Sequence, residues 1–298
     1  MDAAESEAHK LRASSVSVYV NVMLLSIKIV VGVLTGSLGI LAEVAHSLLD
    51  LAASGFAYLG IKSASLPPDE EHLYGHEKYE PLSSLIQTAL LGITCIWIFY
   101  EAGVRLLQGF EIKTGNILYY GIAVMAVAIF VDTLTSRFLF KNAKEYQSTA
   151  LEADAYHFST DMYSSTAVLI GLVASRLGFQ IVDPIAAILV ALVMLSTSIK
   201  LGRSSISILV DGAPPKEIIE KIKKVIMETA DIVSYHDLRA RQVGGSIFVD
   251  VSIHVSPDLS LDDAHKIADK LEIELRNKIP NVKEFIIHIE PEVISSTG

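Results

Sequence analysis

The chain has 298 residues, 51% of them hydrophobic, with a mean hydropathy of +0.45 and a net charge of −10. That is too apolar for an ordinary soluble domain, and the acidic balance gives no reason to expect nucleic-acid binding. Cys95 is the one cysteine, so an intramolecular disulfide framework is excluded.

Long apolar runs fill roughly the first 210 positions, and the pattern then turns mixed and charged. This predicts a membrane domain followed by a soluble one. Residues 1–12 read as a polar tail, whose Glu5, Glu7, Lys10 and Arg12 speak against a cleavable signal peptide. A first apolar helix is expected over about Ala13–Leu34, interrupted by Asn21 and Lys28, with Thr35-Gly36-Ser37 as a tight turn. A second, over about Leu38–Ala64, carries His46 and Asp50. Ser65–Tyr79 reads as a polar loop broken by Pro67-Pro68. The third helix is expected over about Glu80–Leu107. The fourth, over about Ile117–Phe140, contains Asp132 and is followed by a charged loop, Lys141–Gln147. The fifth, over about Ser148–Leu177, carries His157 and Asp161, and the sixth covers about Asp183–Val210. Each is about the 20 residues or more that a bilayer span requires.

Lys and Arg near the span ends predict the orientation. Lys10, Arg12, Lys62, Lys78, Arg137, Lys141, Lys144, Lys200 and Arg203 fall on one side, and Arg105, Lys113 and Arg176 on the other. The first side is therefore expected to be cytoplasmic, with both termini there, in a cell membrane (plasma or inner).

After Pro214-Pro215 an amphipathic helix is expected over about Lys216–Ala230, with Ile218, Ile219, Ile222 and Ile226 on one side. Ile232–Gln242 and Ser246–Val255 read as strands joined at Gly244-Gly245. Asp262–Ile279 reads as a second helix and Val282–Glu290 as a last strand. The order αββαβ predicts a small α+β domain of helices on one sheet. The expected organisation is thus a tail (1–12), six transmembrane helices (13–211), a cytoplasmic α+β metal-binding and dimerisation domain (212–292) and a disordered end (293–298).

Two stretches stand out. Glu43 to Asp50 and Asp154 to Asp161 each place a histidine four residues before an aspartate, inside apolar helices. Residues four apart share a helix face. Two such helices side by side aim His46, Asp50, His157 and Asp161 at one point. Polar groups in hydrocarbon are costly and mark function. Two imidazoles and two carboxylates suit Zn²⁺ in tetrahedral geometry, whereas Mg²⁺ or Ca²⁺ wants more oxygens. Two aspartates neutralise a divalent ion, and protons compete with it for the same atoms, which is a physical route to metal/proton antiport. Glu43 and Asp154, one turn earlier, are candidate supports of these ligands or lining of a solvated crevice. Asn21 is a candidate interhelical hydrogen-bond donor.

The chain resembles the cation diffusion facilitator family of metal transporters. The resemblance rests on Gly36-Ser37-Leu38-Gly39-Ile40-Leu41-Ala42 leading into His46-Ser47-Leu48-Leu49-Asp50, on Tyr74-Gly75-His76-Glu77-Lys78-Tyr79-Glu80, on His157-Phe158-Ser159-Thr160-Asp161, and on His236-Asp237-Leu238-Arg239-Ala240-Arg241-Gln242. It implies a homodimer that exports divalent metal by proton exchange and alternating access. His46 resembles the zinc-selective members, and manganese-type members would carry Asp in place of His157.

Asp69, His72 and His76 read as a solvated loop in which His72 and His76 share one helical turn. The resemblance implies a second, cytoplasm-facing metal site there. It also implies a tail metal site bridged between subunits at His236, His265 and His288, with Glu290 where an Asp is often found. Ser252 stands where some relatives have His, and His254, on the same strand face, is the candidate substitute. Lys78 and Asp211 are either snorkelling and capping groups or, by the resemblance, an ion pair near the tail hinge. Tail metal binding would draw the two tails together and bias the inward-to-outward equilibrium. The expectation is a secondary transporter, not an enzyme, exporting Zn²⁺, which also binds as a regulator. The alternatives are a different main ion (Fe²⁺, Co²⁺, Ni²⁺ or Cd²⁺) or a non-transporting metal-sensing membrane scaffold.

Overall fold

The computed structural model describes residues 3–35, 38–108, 116–176, 182–279 and 281–292. They fall into two compact units, Met1–Ile206 and Ser207–Gly298. Six helices make the first: α1 (Ala3–Thr35), α2 (Leu38–Ala64), α3 (Tyr79–Gln108), α4 (Asn116–Tyr146), α5 (Thr149–Arg176) and α6 (Val182–Leu209). The shortest has 27 residues and the longest 33, or about 40–50 Å at 1.5 Å per residue. Among the described residues, Tyr79–Val104 and Ala187–Leu209 are the stretches long and apolar enough to cross a membrane.

Two expected boundaries move. The polar segment before Ala13 is helical from Ala3 onward. Its Lys10 Nζ lies 3.2 Å from Glu80 Oε2, and the His9 ring stacks on Tyr146 at 5.4 Å between centroids. The expected loop at Lys141–Gln147 is helical as far as Tyr146. There Gln147 takes a positive φ of 50° and the Ser148 N–H closes back on the Ala143 carbonyl at 3.0 Å, which satisfies a carbonyl the helix end leaves open. Ser148 then caps the next helix, its Oγ accepting the Leu151 N–H at 3.2 Å. This one tight reversal lays α5 against α4 and sets where His157 sits.

Beside an apolar core that includes Ile61, Leu139, Leu151 and Phe158, the first unit buries many polar side chains and leaves large apolar ones outside. Ser14, Ser17, Asn21, Ser54 and Asp154 are buried, while Ile96, Trp97, Phe130, Leu189 and Val193 are exposed. A water-soluble bundle does the reverse; this distribution fits hydrocarbon surroundings, where helices associate through small and polar side chains. Along the contact of α3 and α6, the Ser198 hydroxyl donates to the Thr88 carbonyl at 2.7 Å and the Ser205 hydroxyl to Ser84 Oγ at 3.0 Å. Between α2 and α3 the approach is closer still: a Cβ on Gly60 would run into the Ser83 side chain. Gly60→Ala is therefore expected to lose about 1–3 kcal/mol to overpacking, read as a lower melting midpoint in detergent. Adding Ser83→Gly should restore the midpoint; no recovery would refute the contact.

The second unit contains α7 (Lys216–Glu228), β1 (Ser234–Val243), β2 (Ser246–Val255), α8 (Leu261–Lys278) and β3 (Val282–Pro291). β2 is central, antiparallel to β1 and parallel to β3, with α8 as the crossover. Ile247, Val249, Val251, Ile253 and Val255 alternate along β2 and bury one face. Ile222, Val225 and Ile226 of α7 and Ala264, Ile267, Leu271 and Leu275 of α8 complete that core. Ser260 starts α8 by accepting the Asp263 N–H at 3.1 Å, with Asp262 and Asp263 in the first turn and Arg276 and Lys278 in the last, as the helix dipole favours. The other sheet face carries rows set by register: Ser234, His254 and Glu290; then His236, Ser252 and His288.

Candidate metal centres

In the helical unit, α2 brings Asp50 to His157 and Asp161 of α5. His157 Nε2 lies 3.3 Å from Asp50 Oδ1 and 3.6 Å from Asp161 Oδ2, and the three side chains are 7%, 8% and 16% exposed in the order Asp50, His157, Asp161. One ligand atom from each lies within 4.8 Å of the others. A tetrahedral ion with bonds of about 2.0–2.2 Å sets its ligand atoms about 3.4 Å apart, so the donor set fits by distance as well as by type. The side chains of His46, Glu43 and Lys28 lie outside the described residues.

The surroundings hold this cluster in place. Asn21 Nδ2 of α1 donates to Ser54 Oγ at 2.7 Å and approaches the Asp50 carbonyl at 3.4 Å. Ser54 Oγ in turn donates to Asp154 Oδ1 at 2.8 Å. Asp154, fully buried one turn before His157, thus ties α5 to α2. Asn21 is an interhelical donor, as its place in an apolar helix predicts. Ser54 was not predicted, because a serine in a helix carries no signal until its neighbours are known. Asp132 is also buried, on α4, and takes no part in the clusters found.

The loop residues come together, but not through a helical turn. Residues 65–78 are non-helical. Asp69 Oδ1 accepts the N–H of His72 at 2.6 Å and of Glu71 at 3.0 Å, folding the chain into an Asp-centred turn. Gly75, at φ 85°, reverses it again. His76 Nε2 then lies 3.2 Å from Asp69 Oδ2, and His72 Nδ1 lies 3.4 Å from Asp69 Oδ1. The Asp69 carboxyl is held below its usual range, first by the His72 N–H, with help from the Glu71 N–H and the two imidazoles. His76 Nδ1 is 3.1 Å from the Pro67 carbonyl. The carbonyl can only accept, so Nδ1 carries a proton and Nε2 is the nitrogen turned toward Asp69 and available to an ion.

In the tail, the outer sheet face gathers His236, His254 and Glu290, with one ligand atom each within 4.8 Å. Glu290 Oε2 is 3.4 Å from His236 Nε2 and 3.5 Å from His254 Nε2, and Glu290 Oε1 is 3.4 Å from His288 Nε2. A bulge between His236 and Arg239, with Asp237 at φ 51°, turns the strand at this point. The Asp237 carboxylate beside Nδ1, followed by Glu290, raises the His236 pKa against the cost of burial. A metal must displace that proton to bind. Two imidazoles and a carboxylate fit a divalent ion of the Zn²⁺ kind. Ser252 sits between His236 and His288 in register and offers no ligand nitrogen; the ring two residues along, His254, joins the cluster. His265 does not join it within one chain: on α8 its Nε2 is 3.7 Å from Asp269 Oδ1.

Asp211 follows α6 in a left-handed conformation, φ 61°, with the Gly212 N–H on the Ser207 carbonyl at 2.7 Å. Aspartate is among the non-glycine residues that adopt this conformation, and here its carboxylate lies 3.6 Å from Arg241 Nη1.

Comparison with known proteins covers both units of the chain. Residues 14–210 match the family model described as the cation efflux transmembrane domain, and residues 214–292 the one described as the cation efflux protein, cytoplasmic domain. The cation-efflux pump FieF of Shewanella oneidensis is 33% identical over 286 residues, 96% of this chain and 95% of that protein. Metal tolerance protein C1 of Arabidopsis thaliana is 33% identical over 278 residues, 89% of this chain and 59% of that protein. Magnetosome protein MamB of Paramagnetospirillum magneticum is 29% identical over 263 residues, 88% of each. Among solved structures, a variant of the MamM CTD aligns at 23% identity with a TM-score of 0.25, covering 26% of this chain and 96% of that one.

Proposed function

The chain belongs to the cation efflux family of membrane transporters, and from that premise we propose that it exports Zn²⁺ from the cytoplasm in exchange for protons. The observation that carries the reading is the convergence of Asp50, His157 and Asp161 in the buried middle of a bundle whose outside is apolar. His46, on the same helix as Asp50, supplies the fourth ligand. All six helices span the bilayer, with both termini cytoplasmic and two copies forming the working unit.

The chemistry follows from charge. Two carboxylates balance a divalent ion, so the loaded site carries little net charge into a low-dielectric region. When the ion leaves, protons take up the lone pairs it held, because metal and protons compete for the same atoms. Asn21, Ser54 and Asp154 hold the two ligand helices in register through this exchange. Asp69, His72 and His76 receive ions at the cytoplasmic mouth. His236, His254 and Glu290, with His288 and with His265 reaching in from the second copy, bind a regulatory ion that draws the tails together. Lys78 and Asp211 serve as an ion pair that ties the membrane domains of the two copies near the tail hinge, and Arg241 shapes the surroundings of the Asp211 carboxylate.

The donor set also accepts Fe²⁺, Co²⁺, Ni²⁺ and Cd²⁺, since imidazole and carboxylate ligands suit several divalent metals and do not exclude them by affinity alone. Competition separates them. In vesicles with an acidic interior, Zn²⁺ uptake should be fastest of the series and stop when an ionophore collapses the pH gradient. Uptake indifferent to the gradient would defeat the exchange reading. Faster uptake of Fe²⁺ or Mn²⁺ would defeat the choice of ion.

A further inference from the structure

We propose that Glu292 positions His254 for the tail metal centre, an inference that rests on the tail reading above. The His254 ring stands between two carboxylates. Nδ1 lies 2.8 Å from Glu292 Oε2, and Nε2 lies 3.5 Å from Glu290 Oε2. A carboxylate on Nδ1 takes the ring's N–H and leaves the lone pair on Nε2. That is the nitrogen turned toward the oxygen that His236 Nε2 also faces, at 3.4 Å.

A second group strengthens the hold. The Ser234 hydroxyl, directly across the ladder from His254, donates to Glu292 Oε2 at 3.3 Å and lies 3.1 Å from Nδ1. With the serine proton directed at Glu292, the Nδ1 proton is directed there too. The backbone fixes both partners. The Val233 N–H bonds the His254 carbonyl at 2.9 Å, and the Glu292 N–H bonds the Val255 carbonyl at 2.8 Å. Val255 is opposite Pro291, and in a parallel ladder its carbonyl accepts from the next residue, so Glu292 is the donor that closes the ladder. Glu290 and Glu292 are two apart on an extended chain and share the outer face.

The position of His254 explains why a holder is needed. The middle of the row between His236 and His288 is Ser252. Its replacement ligand comes from one row along and must be kept turned to the centre. An unheld imidazole rotates about its outer bond and presents either nitrogen. A carboxylate behind a ligand histidine fixes orientation and tautomer and raises the basicity of the ligating nitrogen.

The test uses the full-length protein in detergent, with Asp50→Ala and His76→Ala removing the other two centres, titrated with Co²⁺ and Cu²⁺. Glu292→Leu should weaken Co²⁺ binding about 10- to 100-fold. Glu292→Gln, whose amide oxygen still accepts the Nδ1 proton, should stay near the parent. In Cu²⁺-loaded protein, the pulsed-EPR signal of the remote imidazole nitrogen should change in the Leu variant and persist in the Gln variant. Parent-like affinity in Glu292→Leu overturns the proposal. Equal loss in Gln and Leu also overturns it, because Glu292 would then act through its charge or as a ligand. If His254→Ala binds Co²⁺ as the parent does, the tail reading fails and Glu292 has nothing to position. If His254→Ala weakens binding and Glu292→Leu does not, the positioning role alone fails.

Discussion

Asp50→Ala should reduce metal flux by about 100-fold or more while leaving metal binding by the tail unchanged. Loss of a group that only supports a ligand costs about 10- to 100-fold in metal affinity, and Asp50 is placed as a ligand itself, 3.3 Å from His157 Nε2. Its removal also unbalances the charge that would cross the low-dielectric region. The fold should survive, because His157 keeps a second carboxylate partner, Asp161 at 3.6 Å, and is not left as an uncompensated charge. Asp50→Asn, nearly isosteric, separates shape from charge and should be almost as inactive. Reconstituted vesicles report the flux, and titration of the detergent-solubilised protein reports the tail. A protein that merely sensed metal through its tail would keep its behaviour in both variants. Flux near the parent level would rule out the helical-unit site as the path of the ion.

The features that were legible in the chain are those whose geometry is local. His157 and Asp161 are four apart on one helix, and their shared face follows from helical period alone. The αββαβ order of the tail followed from alternation and turn residues for the same reason. The features that were not legible depend on distant partners. The N-terminal segment reads as a solvated tail because of its charges, yet Lys10 finds Glu80 and His9 finds Tyr146. The loop histidines have helical spacing, but the Asp69 carboxylate captures two backbone N–H groups and folds a turn instead. In the tail, residue types announced a histidine cluster, while its membership hung on register. The bulge at Asp237 and the pairing of Ser234 with His254 decide which rings meet. Nothing in the composition marks Glu292, which lies just past the expected end of the last strand and matters only because that strand runs parallel to β2.

These dependencies share a mechanical consequence. The ligands of the helical unit sit on α2 and α5, but their separation is set in part by α1, through Asn21, Ser54 and Asp154. Whatever seats α1 therefore bears on the ion site without touching the ion.

The seat of α1 is the Lys10–Glu80 pair, and breaking it should be the largest stability effect in the helical unit. The nitrogen and oxygen are 3.2 Å apart, with side chains 12% and 4% exposed. Glu80 Oε1 is buried with no hydrogen-bond partner among the described residues, so Lys10 carries most of the compensation for that charge. Lys10→Met strands the carboxylate, and Glu80→Leu strands the ammonium. Each should cost about 3–5 kcal/mol, the usual penalty for one uncompensated buried charge. The double variant removes both charges and should recover most of the loss, because a buried pair replaced by apolar groups of similar volume is close to neutral. Melting midpoints of the four proteins in detergent form the cycle. Additive losses would show that the pair is solvated and does not seat the helix. Flux should track the midpoints, low in each single variant and restored in the double, since α1 carries Asn21 to the Asp50 carbonyl. A double variant that is stable yet inactive would instead assign Lys10 or Glu80 a direct part in moving the ion.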